Sequence, residues 1–203
     1  MAKQKLTMMP GEKKVVLLSK QRGLPPLMVT MLKKTPTGVT VTVDPLYKEN
    51  TRNKEHLPNG FYTLTGDRIH VTTSDPHVLA HELGHAKSDT ELVGRLVQSR
   101  FLYPMMHLAP ISGLISGVAV RGIKHPMVRA IAIGAPFLMS LPGMVAEAKA
   151  SANGHEILRQ AGASEKELAL YRAKMVKYYL SYASLPAMTG VNMLLGHALG
   201  GAR

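Results

Sequence analysis

Three stretches of this chain contain no Asp, Glu, Lys or Arg: residues 101–120, 130–146 and 178–202, windows of 20, 17 and 25 residues. These lengths bracket the roughly 20 residues that cross a bilayer as a helix, so any fold must shelter three long apolar segments. The windows are impure. Pro104, His107, Pro110, Pro136, Pro142, Pro186, Asn192 and His197 interrupt them, together with many small residues of the kind that let helices approach closely. Two solutions suit this pattern: core helices of a soluble bundle, or helices inserted into or lying on a membrane. We expect an apolar helical bundle with membrane association. Arg121, Lys124 and Arg129 lie between the first two windows, while a second basic cluster lies at the N-terminus, so the positive-inside rule gives no orientation.

The apolar material is aliphatic: Trp is absent, Phe occurs three times and Met 13 times in 203 residues, which suits packed helices. The absence of Cys excludes a disulfide framework, thiolate metal sites and a Cys nucleophile, leaving His, Asp and Glu to hold any metal. The net charge of +12 is uneven, because residues 1–54 hold 11 of the 25 Lys and Arg against Glu12, Asp44 and Glu49. An anionic lipid surface or a nucleic acid would answer that field, as would plain solvation. Few aromatics interleave those lysines, which gives little support to stacking on single strands. MAKQKLTMMPGEKK lacks the apolar core of a cleavable signal peptide.

Local pattern orders the rest. Residues 1–57 form a basic N-terminal region in which VVLLS (15–19) and LMVTML (27–32) suggest at most short helices. VTVTV (39–43) alternates as a strand, and FYTLTGDRIHVTT predicts a β-hairpin turning at Gly66-Asp67. Asp75 as N-cap and Pro76 at the first helical position predict a helix from 76 to about 100, bent near Ser88, with apolar positions at Val78, Leu79, Leu83, Leu92, Val93, Leu96 and Val97. The fold class expected is therefore α+β, mostly α-helical. A small β-hairpin or sheet precedes that helix and an apolar helical bundle follows it, in a domain spanning 58–203.

The helix carries His81-Glu82-Leu83-Gly84-His85. Residues four apart share a helix face, so both imidazoles can reach one tetrahedral ion. The adjacent Glu82 is placed to take a proton from a metal-activated water. A catalytic zinc needs a third protein ligand, and four candidates stand open. His77 would make a line of three histidines about 12 Å long, too extended for one ion. Glu91 is turned about 240° from the His85 face if the helix continues. Glu147 ends a 17-residue uncharged run, where an acid is costly without a cation; zinc, Lys149 or Arg129 would serve, and Pro142-Gly143 can start a new helix there. Glu156, beside His155, is the fourth. If 101–120 and 130–146 form a helical hairpin, Glu147 returns to the side of the histidines.

HELGHAKSD (81–89) resembles the active-site helix of thermolysin-like enzymes, including an Asp four past the second His. Over about residues 58–197 the chain is similar to membrane-associated neutral zinc metallopeptidases, with CaaX-processing enzymes as distant relatives. In those, a strand pair like GFYTLTGDRIHVTT precedes AHELGHA, apolar helices intervene, and a segment like EAKASANGHEIL supplies a Glu. The resemblance implies a zincin of the gluzincin type: His81, His85 and Glu147 as Zn2+ ligands and Glu82 as general base. Related motifs often carry an acid four past the ligand Glu, bracing a histidine. Ser151 stands there in this chain, and Asp89 would brace the site from the other helix.

The expected function is peptide-bond hydrolysis by a zinc-activated water, with the strand over 68–73 holding an extended substrate by β-augmentation. A second electrophile would come from His155, Tyr171, Arg172, Tyr178, Tyr179 or His197. The alternative is a non-catalytic basic membrane- or nucleic-acid-binding protein with a structural or vestigial zinc site.

Overall fold

The computed structural model of the protein describes residues 16–18, 24–33, 35, 39–43, 60–63, 68–92, 96 and 102–200. Among them run β1 (Val16–Leu18), α1 (Pro26–Lys33), β2 (Thr40–Val43), β3 (Gly60–Thr63), β4 (Arg68–Val71), α2 (Pro76–Ser88), α3 (Leu102–Ala119), α4 (Pro126–Gln160) and α5 (Glu165–Leu199). This is the mostly helical α+β class expected from the sequence, with a small sheet ahead of α2 and long helices after it. The chain divides into two compact units, residues 1–94 with 149–173 and residues 95–148 with 174–203. The expected boundary at 57/58 lies outside the described residues, as does most of the basic N-terminal region.

The first unit holds the sheet, in the order β1-β2-β4-β3. β1 and β2 are parallel, β2 and β4 are parallel, and β3 and β4 are antiparallel. The alternation read in VTVTV is real: Val41 and Val43 are buried and Thr40 and Thr42 half-buried. Ile69 and Val71 of β4 continue that buried layer beside Met28 and Met31 of α1 and Leu79 and Leu83 of α2. The hairpin pairing is present, with Thr63 opposite Arg68, while the turn expected at Gly66-Asp67 lies outside the described residues. α1 answers to LMVTML as a short helix.

Four expectations need correction. VLL at 16–18 is a strand and not a helix; a short apolar run has no period of its own, and its parallel partner β2 decides its state. β4 is an interior strand between β2 and β3, so both its backbone edges are taken and residues 68–73 cannot receive a substrate strand. α2 ends at Ser88, where the sequence placed a bend, and does not run unbroken to about 100, although Leu92 and Leu96 are again helical. There the bonding changes from i−4 to i−3: Thr90 N–H donates to the Lys87 carbonyl at 3.1 Å and Glu91 N–H to Ser88 at 2.9 Å. The Thr90 hydroxyl also donates to the Lys87 carbonyl at 2.7 Å, a local bond that competes with helix continuation. Leu92, expected on the apolar face, is 84% exposed, and Val93 and Val97 lie outside the described residues.

The fourth correction concerns Pro142-Gly143, which does not separate two helices: α4 runs unbroken through Pro136 and Pro142. Gly143 is a packing residue rather than a breaker, since a Cβ on it would collide with the sulfur of Met106. The second unit consists of α3, the first part of α4 and the last part of α5. Asn192 there donates to the Pro110 carbonyl at 3.1 Å. Among the described residues, α4 is the one helix long and apolar enough to cross a membrane.

Candidate metal centre

The end of α2 is fixed as the sequence predicts: Asp75 caps it by accepting from the His77 N–H at 3.0 Å, with Pro76 at the first position. From that start, His81 and His85 fall one turn apart. Their rings stand nearly perpendicular, 84° between planes and 4.8 Å between centroids. Glu82, beside them, is 7% exposed.

The C-terminal part of α4 runs against α2 at very short range. A Cβ on Gly84 would collide with the Ala150 carbonyl oxygen, and a Cβ on Gly154 would stand 2.7 Å from the Ala80 carbonyl oxygen. Ala80 and Gly84 are thus matched with Gly154 and Ala150, two small residues four apart on each helix, in antiparallel order. The same order places Ser151 opposite His81, with the Ser151 Oγ 3.5 Å from Nδ1. Beyond the interface α4 ends in a Schellman motif: Gly162 has φ +89, Ala163 N–H donates to Leu158 and Gly162 N–H to Arg159. Ser164 and Glu167 then cap α5 reciprocally, and those bonds hold the Glu167 carboxyl below the ordinary range. This tight reversal returns Tyr171 to the helix pair, where its hydroxyl donates to the Ser151 carbonyl at 3.0 Å.

Glu147 lies one turn before Ser151 on the same uninterrupted helix and is 4% exposed. His81, His85 and Glu147 each offer one ligand atom, all within 4.8 Å of one another. Zinc bonds of about 2.0–2.1 Å in a tetrahedron separate ligand atoms by roughly 3.4 Å, so modest side-chain rotation closes the set. Two imidazole nitrogens and one carboxylate oxygen are a donor set that suits zinc and leaves a fourth position open. The group could therefore hold a metal ion. The chain matches no protein-family model, no curated protein and no solved structure.

The other third-ligand candidates are committed elsewhere. Glu91 pairs with Lys149, whose hydrogen bond holds the Glu91 carboxyl below its usual range; Lys149, once a candidate counter-ion for Glu147, is engaged there. Glu156 is bound by Arg159 and Gln160, which bring its pKa to about 2, the Arg159 bonds contributing most. His77 is buried and engaged at the helix cap, with Nδ1 3.3 Å from the Asp75 carboxylate. Of the candidate electrophiles, Tyr171 is buried and bound to Ser151, His155 meets Arg172 at 3.3 Å, and His197 meets Arg121 at 3.4 Å in the second unit. Tyr178 and Tyr179 have no described contact at the centre.

Asp89 is reached through a residue the sequence reading missed. Tyr62 of β3 donates its hydroxyl to Asp89 Oδ2 at 2.7 Å and stacks on the His85 ring, 6.4 Å between centroids and 6° between planes. Strand parity was the available signal, because Gly60 and Tyr62 share a face. On that face a Cβ at Gly60 would meet Val78 at 2.8 Å and the Glu82 side chain at 3.1 Å. Gly60, the first residue of β3, lets the strand lie against Glu82. Tyr62→Phe keeps the stack and removes the bond to Asp89. Zinc affinity, measured by competition with a chelator, is expected to fall about 10-fold with helix content unchanged; unaltered affinity would show that Asp89 does not brace His85 through Tyr62.

Proposed function

We propose that this protein is a zinc-dependent metallopeptidase of the gluzincin type, associated with a membrane, in which His81, His85 and Glu147 hold the ion. The observation that carries this reading is the convergence of those three side chains from two helices, with the buried carboxylate of Glu82 beside them. Zinc in such a set supplies an activated water and a Lewis acid for the scissile carbonyl. Glu82 accepts the proton of the attacking water and returns one to the leaving amine. Ser151 faces His81 Nδ1, which leaves Nε2 for the ion.

The substrate enters along β3 and not along β4. Among the described residues β3 is an edge strand, so its outer backbone groups can pair with an extended peptide, and Glu82 lies against its first residue, Gly60. The strand that would hold the peptide is thus the one against which Glu82 of α2 lies. The competing reading, a structural zinc site in a basic membrane- or nucleic-acid-binding protein, draws on the engagement of His155, Tyr171 and His197 away from the ligands.

Metal analysis tests the ligand set. The purified chain is expected to hold about one zinc per molecule, and Glu147→Ala to lose most of it. Retention of zinc by Glu147→Ala would assign the third ligand elsewhere.

A further inference from the structure

We infer that the second unit is a three-helix bundle embedded in a bilayer, with its Arg121–Arg129 end seated on anionic phospholipid headgroups. The inference deepens the membrane association proposed above and is independent of the metal chemistry. Its first support is an inverted polarity. Leu108, Ile115, Ile131, Leu138, Leu180 and Leu194 are between 53% and 72% exposed, whereas Ser140 and Thr189 are fully buried. Exposed apolar side chains thus lie on all three helices, as on a surface that faces hydrocarbon.

The interior is built as lipid requires. Four polar side chains find partners on helix carbonyls: Ser112 on Ala109, Ser140 on Phe137, Thr189 on Leu185 and Asn192 on Pro110, the internal pairing that hydrocarbon demands. α3 and α5 approach through glycine, with Gly113 against Thr189, Gly117 against Met193 and Gly196 against Leu114, the means by which helices associate where hydrocarbon surrounds them. α3 has 18 residues, about 27 Å at 1.5 Å per residue, close to the roughly 30 Å of a bilayer core.

Two observations select an anionic bilayer over a second copy of the chain. Every residue from Lys124 to Ile131 is exposed, including more than a full turn of α4 whose side chains are mostly apolar. All faces there are open, which a single protein surface cannot cover and lipid can. The unit also contains one acid, Glu147, against eight Lys and Arg. Arg121, Lys124 and Arg129 gather at one end, with His197 3.4 Å from Arg121; two such ends repel each other and attract phosphate.

The chain has no Trp, so reporters can be placed singly in the full-length protein. Leu138→Trp reconstituted in phosphatidylcholine and phosphatidylglycerol vesicles should emit in the blue and be quenched by lipids brominated on the acyl chain. Met127→Trp should be quenched more strongly by brominated phosphatidylglycerol than by brominated phosphatidylcholine. That preference, about fivefold per basic residue, should vanish when Arg121→Gln, Lys124→Gln and Arg129→Gln are combined, with circular dichroism unchanged. An unquenched Leu138→Trp, or a discrete oligomer stable without lipid or detergent, overturns the embedding. Equal quenching of Met127→Trp by the two lipids overturns the headgroup assignment. Glu82→Gln should alter none of these readings, so a failed peptidase assay and a failed lipid assay are distinguishable.

Discussion

Glu82→Gln is expected to lower peptide hydrolysis by about 10²–10⁴-fold while leaving zinc content and folding intact. The amide has the volume of the carboxylate and fits the same place between α2 and Gly60, but it cannot accept the proton of the attacking water. Because Glu82 is not among the three converging ligand groups, removing its charge does not open the metal set. The informative measurement is kcat on a peptide mixture, taken with zinc stoichiometry and Tm on the same preparation. Full activity with zinc retained would remove Glu82 as the base.

Gly84→Ala is expected to be the most damaging single methyl that can be added near the centre. Its Cβ would collide with the Ala150 carbonyl oxygen and stand 2.9 Å from the Gly154 nitrogen, both backbone atoms of α4 that cannot rotate away. α2 and α4 must then separate, and the cost of such overpacking is about 1–3 kcal/mol or more. Separation also draws the histidines away from the helix that carries Glu147, so zinc affinity should fall by at least about 10-fold, as for other disturbances of ligand support. Gly134→Ala is the control: nothing lies within 4 Å of its Cβ position, and Ala in a helix interior is worth about 0.5–1 kcal/mol over Gly. Equal Tm and equal zinc affinity for Gly84→Ala and the native chain would refute the close helix contact.

Much of the centre was legible because it is local. Asp75, Pro76 and the spacing of His81 and His85 depend only on the geometry of one helix, and the β2 alternation depends only on strand parity. Gly143 was misread for the opposite reason. Pro142-Gly143 looks like punctuation in one dimension, yet Gly143 marks a place where Met106 leaves no room for a Cβ, as Val78 and Glu82 leave little at Gly60. The edge of the sheet was likewise invisible: β4 precedes α2 directly in the chain, but the parallel partner that buries its outer edge is β2, 25 or more residues earlier.

The sequence by itself determined a helix bearing two imidazoles and a carboxylate, three charge-free segments and a mostly helical class, since helical period, capping and charge patterning act over a few residues. Tertiary structure decided which acid comes to the histidines, that β3 and not β4 lies at an edge of the sheet among the described residues, and that Tyr62 bonds Asp89 while stacking on His85. Glu147 is 62 positions beyond His85 in the chain, and no period spans that gap. The meeting goes with Ala80 and Gly84 lying on Gly154 and Ala150, where the absence of long side chains lets α2 and α4 come close enough to gather the three candidate ligand groups.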